Sequence, residues 1–208
     1  DDYIDLLVQM GNTEGAAKEA KALAEATKDP YRRVMRQARL GDLLASANDN
    51  GGALAAYAAG LTDTGAGSWL EKDLLRQIEA VHRKGDHLRE LTAWLQALAE
   101  KEPQRLNVRR ALARVLRDQD RKEDADRVWR SLLAAAPGDA EVAEAFIQHL
   151  TETQRHAEAA AQWRALVILH PADAELHLKL AASLHAAKDD AGCAAGVREF
   201  LKASGGTE

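Results

Sequence analysis

The feature that most constrains the fold of this chain is an internal repeat of 34 residues. Pro103, Pro137 and Pro171 stand at successive intervals of 34 residues. Three tryptophans keep nearly the same interval, with spacings of 35 and 34 residues: Trp94, Trp129 and Trp163. Such a period indicates one supersecondary unit repeated along the chain, and units of this length are usually pairs of helices.

The composition agrees with helices and excludes several classes of protein. Ala, Leu, Arg and Glu, all strong helix formers, dominate the 208 residues. With 14 Gly, 4 Pro and 1 Cys, the chain is neither a collagen nor a disulfide scaffold. No apolar run approaches the roughly 20 residues that cross a bilayer. A net charge of −5 argues against general nucleic-acid binding.

Around the tryptophans the repeat has a fuller pattern. A small residue precedes the aromatic residue by four positions and proline follows it by eight, as in Ala125, Trp129 and Pro137. This pattern resembles the tetratricopeptide repeat (TPR) family, in which each repeat is a helix A, a tight turn and a helix B. The matching positions are Leu40, Gly41, Leu44, Ala53 and Tyr57 in the second repeat, Leu112, Ala113, Leu116, Ala125, Trp129 and Pro137 in the fourth, Phe146, Ile147, Leu150, Ala159, Trp163 and Pro171 in the fifth, and Leu180, Ala181, Leu184, Cys193 and Val197 in the sixth. The third repeat departs most, because Glu90 replaces the small residue.

The resemblance implies an all-α, right-handed superhelical α-solenoid of about six antiparallel helix pairs, forming a single domain over residues 1–208. The chain is similar to a degenerate TPR segment of bacterial type. The absence of an initial Met predicts that the chain comes from a larger protein. The repeats are expected at residues 1–30, 31–68, 69–103, 104–137, 138–171 and 172–205. The helices predicted within them are 1–10 and 14–27, 31–46 and 50–61, 69–84 and 86–100, 104–118 and 121–135, 138–152 and 155–168, and 172–186 and 189–203.

The small and aromatic positions predict how the helices pack. Small residues let helices A and B of a repeat approach closely, and these are Ala53, Ala125, Ala159 and Cys193. The three repeated tryptophans are expected to fill the space between adjacent repeats. At the C-terminal end, Ala194, Val197 and Leu201 form an apolar face on the last helix. We expect further repeats of a longer chain to cover this face, with self-association through it as the alternative.

No motif of an active site is present in the sequence. A Gly-rich phosphate loop and a His-Glu-x-x-His motif are both absent. The seven histidines are scattered, and the single cysteine, Cys193, has no partner for a metal site. No nucleophile stands beside a base and an orienting group in the sequence pattern. We therefore predict a non-enzymatic protein that needs neither a metal nor a cofactor.

One helix face has the character of a binding surface. In the resembled family, one face of each helix A lines a concave groove, and in the third and fourth repeats this face is rich in arginine. The candidate partner-binding residues are Arg39, Lys72, Arg76, His82, Arg83, Arg110, Arg114 and Arg117. Because arginine binds carboxylates in a bidentate manner, a protein or peptide with acidic residues is the expected partner. The alternative interpretation of the same arginines is an ordinary solvated helix surface.

The favoured function is a protein–protein interaction or scaffold module that binds a partner peptide or domain in the concave groove. The alternatives are a helical-repeat RNA-binding segment and an accessory scaffold region of a larger enzyme. Some members of the resembled family hold the terminal carboxylate of a peptide with a clamp of Lys, Asn and Arg side chains. That clamp is incomplete here, because Asp1, Asp5 and Arg39 stand where it has one Lys and two Asn. The compartment stays open, with the cytoplasm favoured because no signal or membrane-spanning segment occurs in the sequence.

Overall fold

The computed structural model describes residues 2–204, and over this range the chain forms twelve α-helices and no β-strand. The helices are α1 (Asp2–Gln9), α2 (Thr13–Glu25), α3 (Pro30–Ser46), α4 (Asn50–Asp63), α5 (Trp69–Lys84), α6 (Leu88–Lys101), α7 (Leu106–Asp118), α8 (Lys122–Ala135), α9 (Ala140–Glu152), α10 (His156–Leu169), α11 (Ala174–Ala186) and α12 (Asp190–Ala203). Each predicted helix is present, with both ends within two residues of the prediction. None of these helices combines the length and the apolar character needed to cross a membrane.

The turn between helices A and B has one backbone geometry throughout the chain. Two residues after the end of each helix A stands a residue with a left-handed φ of 58° to 74°, namely Gly11, Asn48, Asp86, Asp120, Gln154 and Lys188. The next residue then donates its N–H to a carbonyl five residues back, as from Asp49 to Leu44 at 2.9 Å and from Arg155 to Leu150 at 2.7 Å. This is the hydrogen-bond pattern of the Schellman motif. A local capping motif therefore sets the turn of every helix pair.

Many helices begin at a side-chain cap that the sequence supplies. Asp29 accepts from the N–H of Arg32 at 2.7 Å, with Pro30 as the first residue of α3. Asp49 and Asp189 accept in the same way at the starts of α4 and α12, at 2.9 and 2.8 Å. Each cap satisfies a backbone donor that the helix leaves unpaired. These caps explain why the helix starts were predictable.

The chain divides into two compact units, Asp1–Ala125 and Asp126–Glu208. In the first unit, α3 and α4 pack closely because Gly41 lies directly against the ring of Tyr57. The Tyr57 hydroxyl donates to Asp42 at 2.7 Å, and burial together with this carboxylate raises the pKa of Tyr57. The predicted small residue Ala53 is fully buried, as expected for a position that permits close approach.

In the second unit, an aromatic cluster joins α8 and α9. Trp129 is 2% exposed and lies 6.2 Å from Phe146 and 6.3 Å from His149, between ring centres. His149 Nε2 lies 2.9 Å from Asp126 Oδ1, and Arg155 donates to the other carboxylate oxygen. Burial raises the pKa of Asp126, but the hydrogen bonds from Arg155 and His149 outweigh burial and lower it overall. This network ties the start of α10 to α8 and α9.

Two packing predictions need correction. Trp129 and Trp163 are buried as predicted, but Trp94 is only half-buried and lines a surface pocket. Counted from the turn residues Asp86 and Asp120, Leu95 and not Trp94 takes the position of Trp129, and Leu95 is fully buried there. Cys193 was expected to be buried and is also only half-buried, with its Sγ donating to the Ala181 carbonyl at 3.3 Å. Its helix, α12, is the last one described and has no buried residue.

Candidate functional site

The candidate site is a cleft between α5 and α7, both in the first unit. It has a volume of about 320 Å³. We call it the α5–α7 cleft, and its lining residues are Lys72, Leu75, Arg76, Glu79, Asn107, Arg110 and Arg114. On α5 the polar members are spaced four and three residues apart, and on α7 three and four apart, which places each set on one face of its helix. Helical periodicity therefore brings together the two rows of side chains that the sequence analysis selected.

The charge of the α5–α7 cleft is strongly positive. Four of its lining side chains are cationic and only Glu79 carries a carboxylate. Glu79 is buried, and Arg114 Nη2 donates to its Oε1 at 2.6 Å, so Arg114 is held in place by this pair. Arg76 projects from the surface with 74% of its side chain exposed and bonds to Asp73 on its own helix. A cationic cleft in a chain of net charge −5 can attract carboxylates.

A buried polar network fixes the wall of this cleft. Arg105 Nη1 donates to Glu71 Oε1 at 3.1 Å, and both side chains are almost entirely buried. Asn107, which lines the cleft, donates from Nδ2 to Glu71 Oε2 at 2.7 Å. Arg105 also reaches the carbonyl of Thr64 at 3.1 Å, and the N–H of Gly67 donates to Glu71 Oε2 at 2.7 Å. The network thus holds α7 against α5 and against the loop that precedes α5. The sequence analysis did not single out Arg105 or Glu71.

A second cleft lies beside the first, between α3 and α5. It has a volume of about 490 Å³. We call it the α3–α5 cleft, and its lining residues are Arg32, Met35, Arg36, Ala38, Arg39, Asp42, Trp69, Leu70 and Asp73. Trp69 is 59% exposed. The sequence analysis missed Trp69, although it lies three residues before Lys72 and seven before Arg76 on the same stripe of α5. Extending the stripe by one turn would have found it.

The structure separates the predicted site residues into groups. Lys72, Arg76, Arg110 and Arg114 meet in the α5–α7 cleft. Arg39 lies in the α3–α5 cleft and pairs with Asp5. Arg83 and Arg117 lie farther along α5 and α7, where both bond to Asp118. Arg83 and Arg117 therefore belong to an ion-pair cluster, in which Asp118 bonds to both and Arg83 Nη2 also lies 3.7 Å from Glu79 Oε2.

His82 lies outside both clefts. It lines a separate pocket together with Leu54 and Trp94, and its Nδ1 lies 2.9 Å from the carbonyl oxygen of Ile78. The reason is geometric: a helix turns by about 100° per residue, so His82 points away from the stripe that ends at Arg83. His82 therefore does not share the α5–α7 cleft with the predicted arginines, and its part in binding a partner stays a prediction.

The described residues hold several of their acidic groups in ion pairs and place none in a metal site. No group of three or more His, Cys, Asp or Glu side chains within residues 2–204 is placed to hold a metal ion. The carboxylates with a lowered pKa, such as Asp63 beside Arg33 and Glu158 beside Arg155, are partners of arginine in structural ion pairs. The chemistry that the α5–α7 cleft supports is the binding of anionic groups.

Comparison with solved structures identifies the fold. A tetratricopeptide repeat protein from Parabacteroides merdae is similar with a TM-score of 0.51 and 12% identity, over 98% of this chain and 78% of that one. BtubC from P. vanneervenii gives a TM-score of 0.53 and 17% identity, with 96% and 91% of the two chains covered. MamA gives 0.50 and 12%, with 83% and 92% covered. No protein-family model matches the sequence, and no curated protein is similar to it.

These likenesses define the class of the molecule. At identities of 12% to 17% they show the fold alone. The chain has a TPR-like, all-α helical-repeat fold, as the resemblance in its sequence predicted. The fold alone does not determine the function of this protein, which we argue from the side chains of the clefts.

Proposed function

We propose that this protein is a non-enzymatic interaction module whose α5–α7 cleft binds an acidic segment of a partner protein. The observation that carries the proposal is the charge of the cleft, where Lys72, Arg76, Arg110 and Arg114 surround one carboxylate. Arginine guanidinium groups bind carboxylates through paired hydrogen bonds. The neighbouring α3–α5 cleft supports binding of an apolar side chain next to the acidic segment, because Trp69 and Met35 are exposed there.

The structure shows which arginines are suitable for a test. Arg114 bonds to the buried Glu79, so its replacement by Glu would place two carboxylates together and endanger the fold. Arg76 is largely exposed, and Arg76→Glu changes the charge of the cleft without removing a buried partner. Arg89, exposed on α6 in the same unit and outside both clefts, is the matched control, because Arg89→Glu changes the net charge equally.

The experiment measures fluorescence anisotropy of a labelled peptide of alternating Glu and Leu, compared with its Gln and Leu counterpart. We expect Arg76→Glu to weaken binding of the acidic peptide at least about tenfold, as the loss of one charge-assisted hydrogen bond implies. We expect Arg89→Glu to bind like the wild type. Equal affinity for the acidic and neutral peptides, or equal effects of the two substitutions, would refute the proposal. Tighter binding of single-stranded RNA than of the acidic peptide would favour the RNA-binding alternative.

A further inference from the structure

A third pocket of the first unit lies between α4, α5 and α6, outside the two clefts. It has a volume of about 310 Å³. We call it the Trp94 pocket, and it is lined by Leu54, Ala55, Ala58, Ile78, His82, Glu90 and Trp94. Leu54, Ile78 and the two alanines form an apolar lining. Glu90 is the one charged residue among these seven, so the pocket is anionic.

The pocket lies where the third repeat departs from the others, because Trp94 stands eight residues after its left-handed turn residue and Trp129 stands nine after its own. Ala53, Ala125 and Ala159 are fully buried at the small position of helix B, and this lets the helices of a pair approach closely. Counted from the left-handed turn residue Asp86, Leu91 takes that position in α6 and is fully buried, while Glu90 before it stays in solvent with 73% of its side chain exposed. Leu95 is buried at the position equivalent to Trp129, and Trp94, one residue before it, is only half-buried. The same departure therefore provides the aromatic wall and the carboxylate.

The polar groups of the pocket are acceptors. Glu90 contributes a carboxylate, of which Oε1 lies 3.3 Å from His87 Nδ1. His82 Nδ1 lies 2.9 Å from the carbonyl oxygen of Ile78, and because a carbonyl only accepts, Nδ1 carries the hydrogen. In neutral His82 the other ring nitrogen, Nε2, is then an acceptor. An indole face with two acceptors around it attracts a cation that also donates hydrogen bonds.

We propose that the Trp94 pocket binds an arginine side chain of a partner protein. A guanidinium group is planar and stacks on the Trp94 ring, and its five N–H donors serve Glu90 and His82 together. Its aliphatic stem lies against Leu54 and Ile78. The chain uses related chemistry in the second unit, where Lys179 Nζ lies 5.2 Å from the centre of the Trp163 ring and pairs with Glu175 at 2.8 Å.

The proposal is independent of the proposed function, because the pocket shares no lining residue with the α5–α7 cleft. The test is an NMR titration with N-acetyl-L-arginine amide, in which the indole N–H signal of Trp94 is followed. The signal is assigned by its loss in Trp94→Phe. N-acetyl-L-citrulline amide, which has nearly the same shape without the charge, is the matched ligand control. Trp69 is the internal control, because it is an exposed tryptophan outside the pocket.

We expect a saturable shift of the Trp94 signal with the arginine compound and a much smaller one with the citrulline compound. Glu90→Gln should weaken the apparent affinity up to about fivefold, as expected for an exposed charge pair. Glu100→Gln, an exposed change on the same helix, should have no effect. The proposal is overturned if citrulline shifts the signal equally, if Trp69 responds with the same affinity, or if Glu90→Gln binds like the wild type. Arg76→Glu should leave this titration unchanged, which separates its outcome from that of the peptide experiment.

Discussion

The close packing of Gly41 on Tyr57 gives a prediction whose size follows from the structure. A Cβ atom added at Gly41 would lie 2.6 Å from Cδ1 and 2.7 Å from Cζ of the Tyr57 ring. Real contacts of this kind are about 3.5–4.0 Å long. Tyr57 is 1% exposed and its hydroxyl is bonded to Asp42, so the ring has no free space to enter. Gly41→Ala therefore forces α3 and α4 apart.

The expected cost is the difference of two opposing effects. Overpacking of a rigid core costs roughly 1–3 kcal/mol, and the severity of this overlap favours about 3 kcal/mol. Alanine is favoured over glycine inside a helix by about 1 kcal/mol. The net prediction is a loss of about 2 kcal/mol in the free energy of unfolding.

The assay is urea denaturation followed by circular dichroism, with two control substitutions in the same unit. Gly51→Ala is the matched control, because a Cβ there meets only Asp49 Oδ1 at 3.8 Å. Gly60→Ala is intermediate, because its Cβ would lie 3.3 Å from side-chain atoms of Gln37 and Leu74, which can move slightly. Stability should therefore fall in the order Gly51→Ala, Gly60→Ala, Gly41→Ala.

A double-mutant cycle decides whether the Tyr57 ring is the cause. In a Tyr57→Leu background the overlap is relieved, so Gly41→Ala should cost much less than it does in the wild type. If Gly41→Ala is as stable as the wild type, or if its cost is the same in the Tyr57→Leu background, the packing argument is refuted.

The remaining predictions concern buried polar groups, the core and the turns. Arg105→Met should lower the free energy of unfolding, measured by urea denaturation, by about 3–5 kcal/mol, because it leaves the carboxylate of Glu71 buried without its cation. A loss smaller than that caused by substituting an exposed residue would contradict this prediction. Trp129→Ala should cost about 3–5 kcal/mol by the same measurement, as the truncation of a buried aromatic residue. Gln154→Gly should raise the midpoint of thermal unfolding, because glycine adopts the left-handed φ of 62° without strain, which stabilises the fold by up to about 1 kcal/mol. An unchanged or lower midpoint would count against this prediction. Since the folded pKa of Asp126 is lowered, its stabilising contribution is present above its ordinary value of 3.8 and is lost as the pH falls through the folded pKa. Asp126→Asn should flatten that part of the stability profile.

The helices and turns were predictable because their causes are local. The proline and tryptophan spacing gave the period, and in the structure local caps such as Asp29 and Asp49 fix where the helices begin. Gln154 is instructive, because the sequence contains no obvious turn residue there. It nevertheless adopts φ 62°, as the equivalent Asn48 adopts 61°. At that position the repeat itself, with its hydrogen bond back to Leu150, imposes the left-handed geometry on an ordinary residue.

The candidate site was predictable in part. The period of the helix places Lys72 and Arg76 on one face and Arg110 and Arg114 on another, whatever surrounds them. The helical period cannot show which of these arginines already pair with a carboxylate of the same chain. The pairing of Arg114 with Glu79 depends on the approach of α5 and α7, which are separated by a whole repeat in sequence.

The sequence by itself determined the all-α repeat fold, the helix bounds and the stripe of arginines, because hydrophobic periodicity, capping and turn chemistry act over a few residues. Only the tertiary structure decided that Arg105 and Glu71 form a buried pair and that Trp94 is left half-exposed. Both results depend on how closely particular helices approach one another. That distance is set by the sizes of side chains that meet from different helices, such as Gly41 of α3 against the ring of Tyr57 from α4.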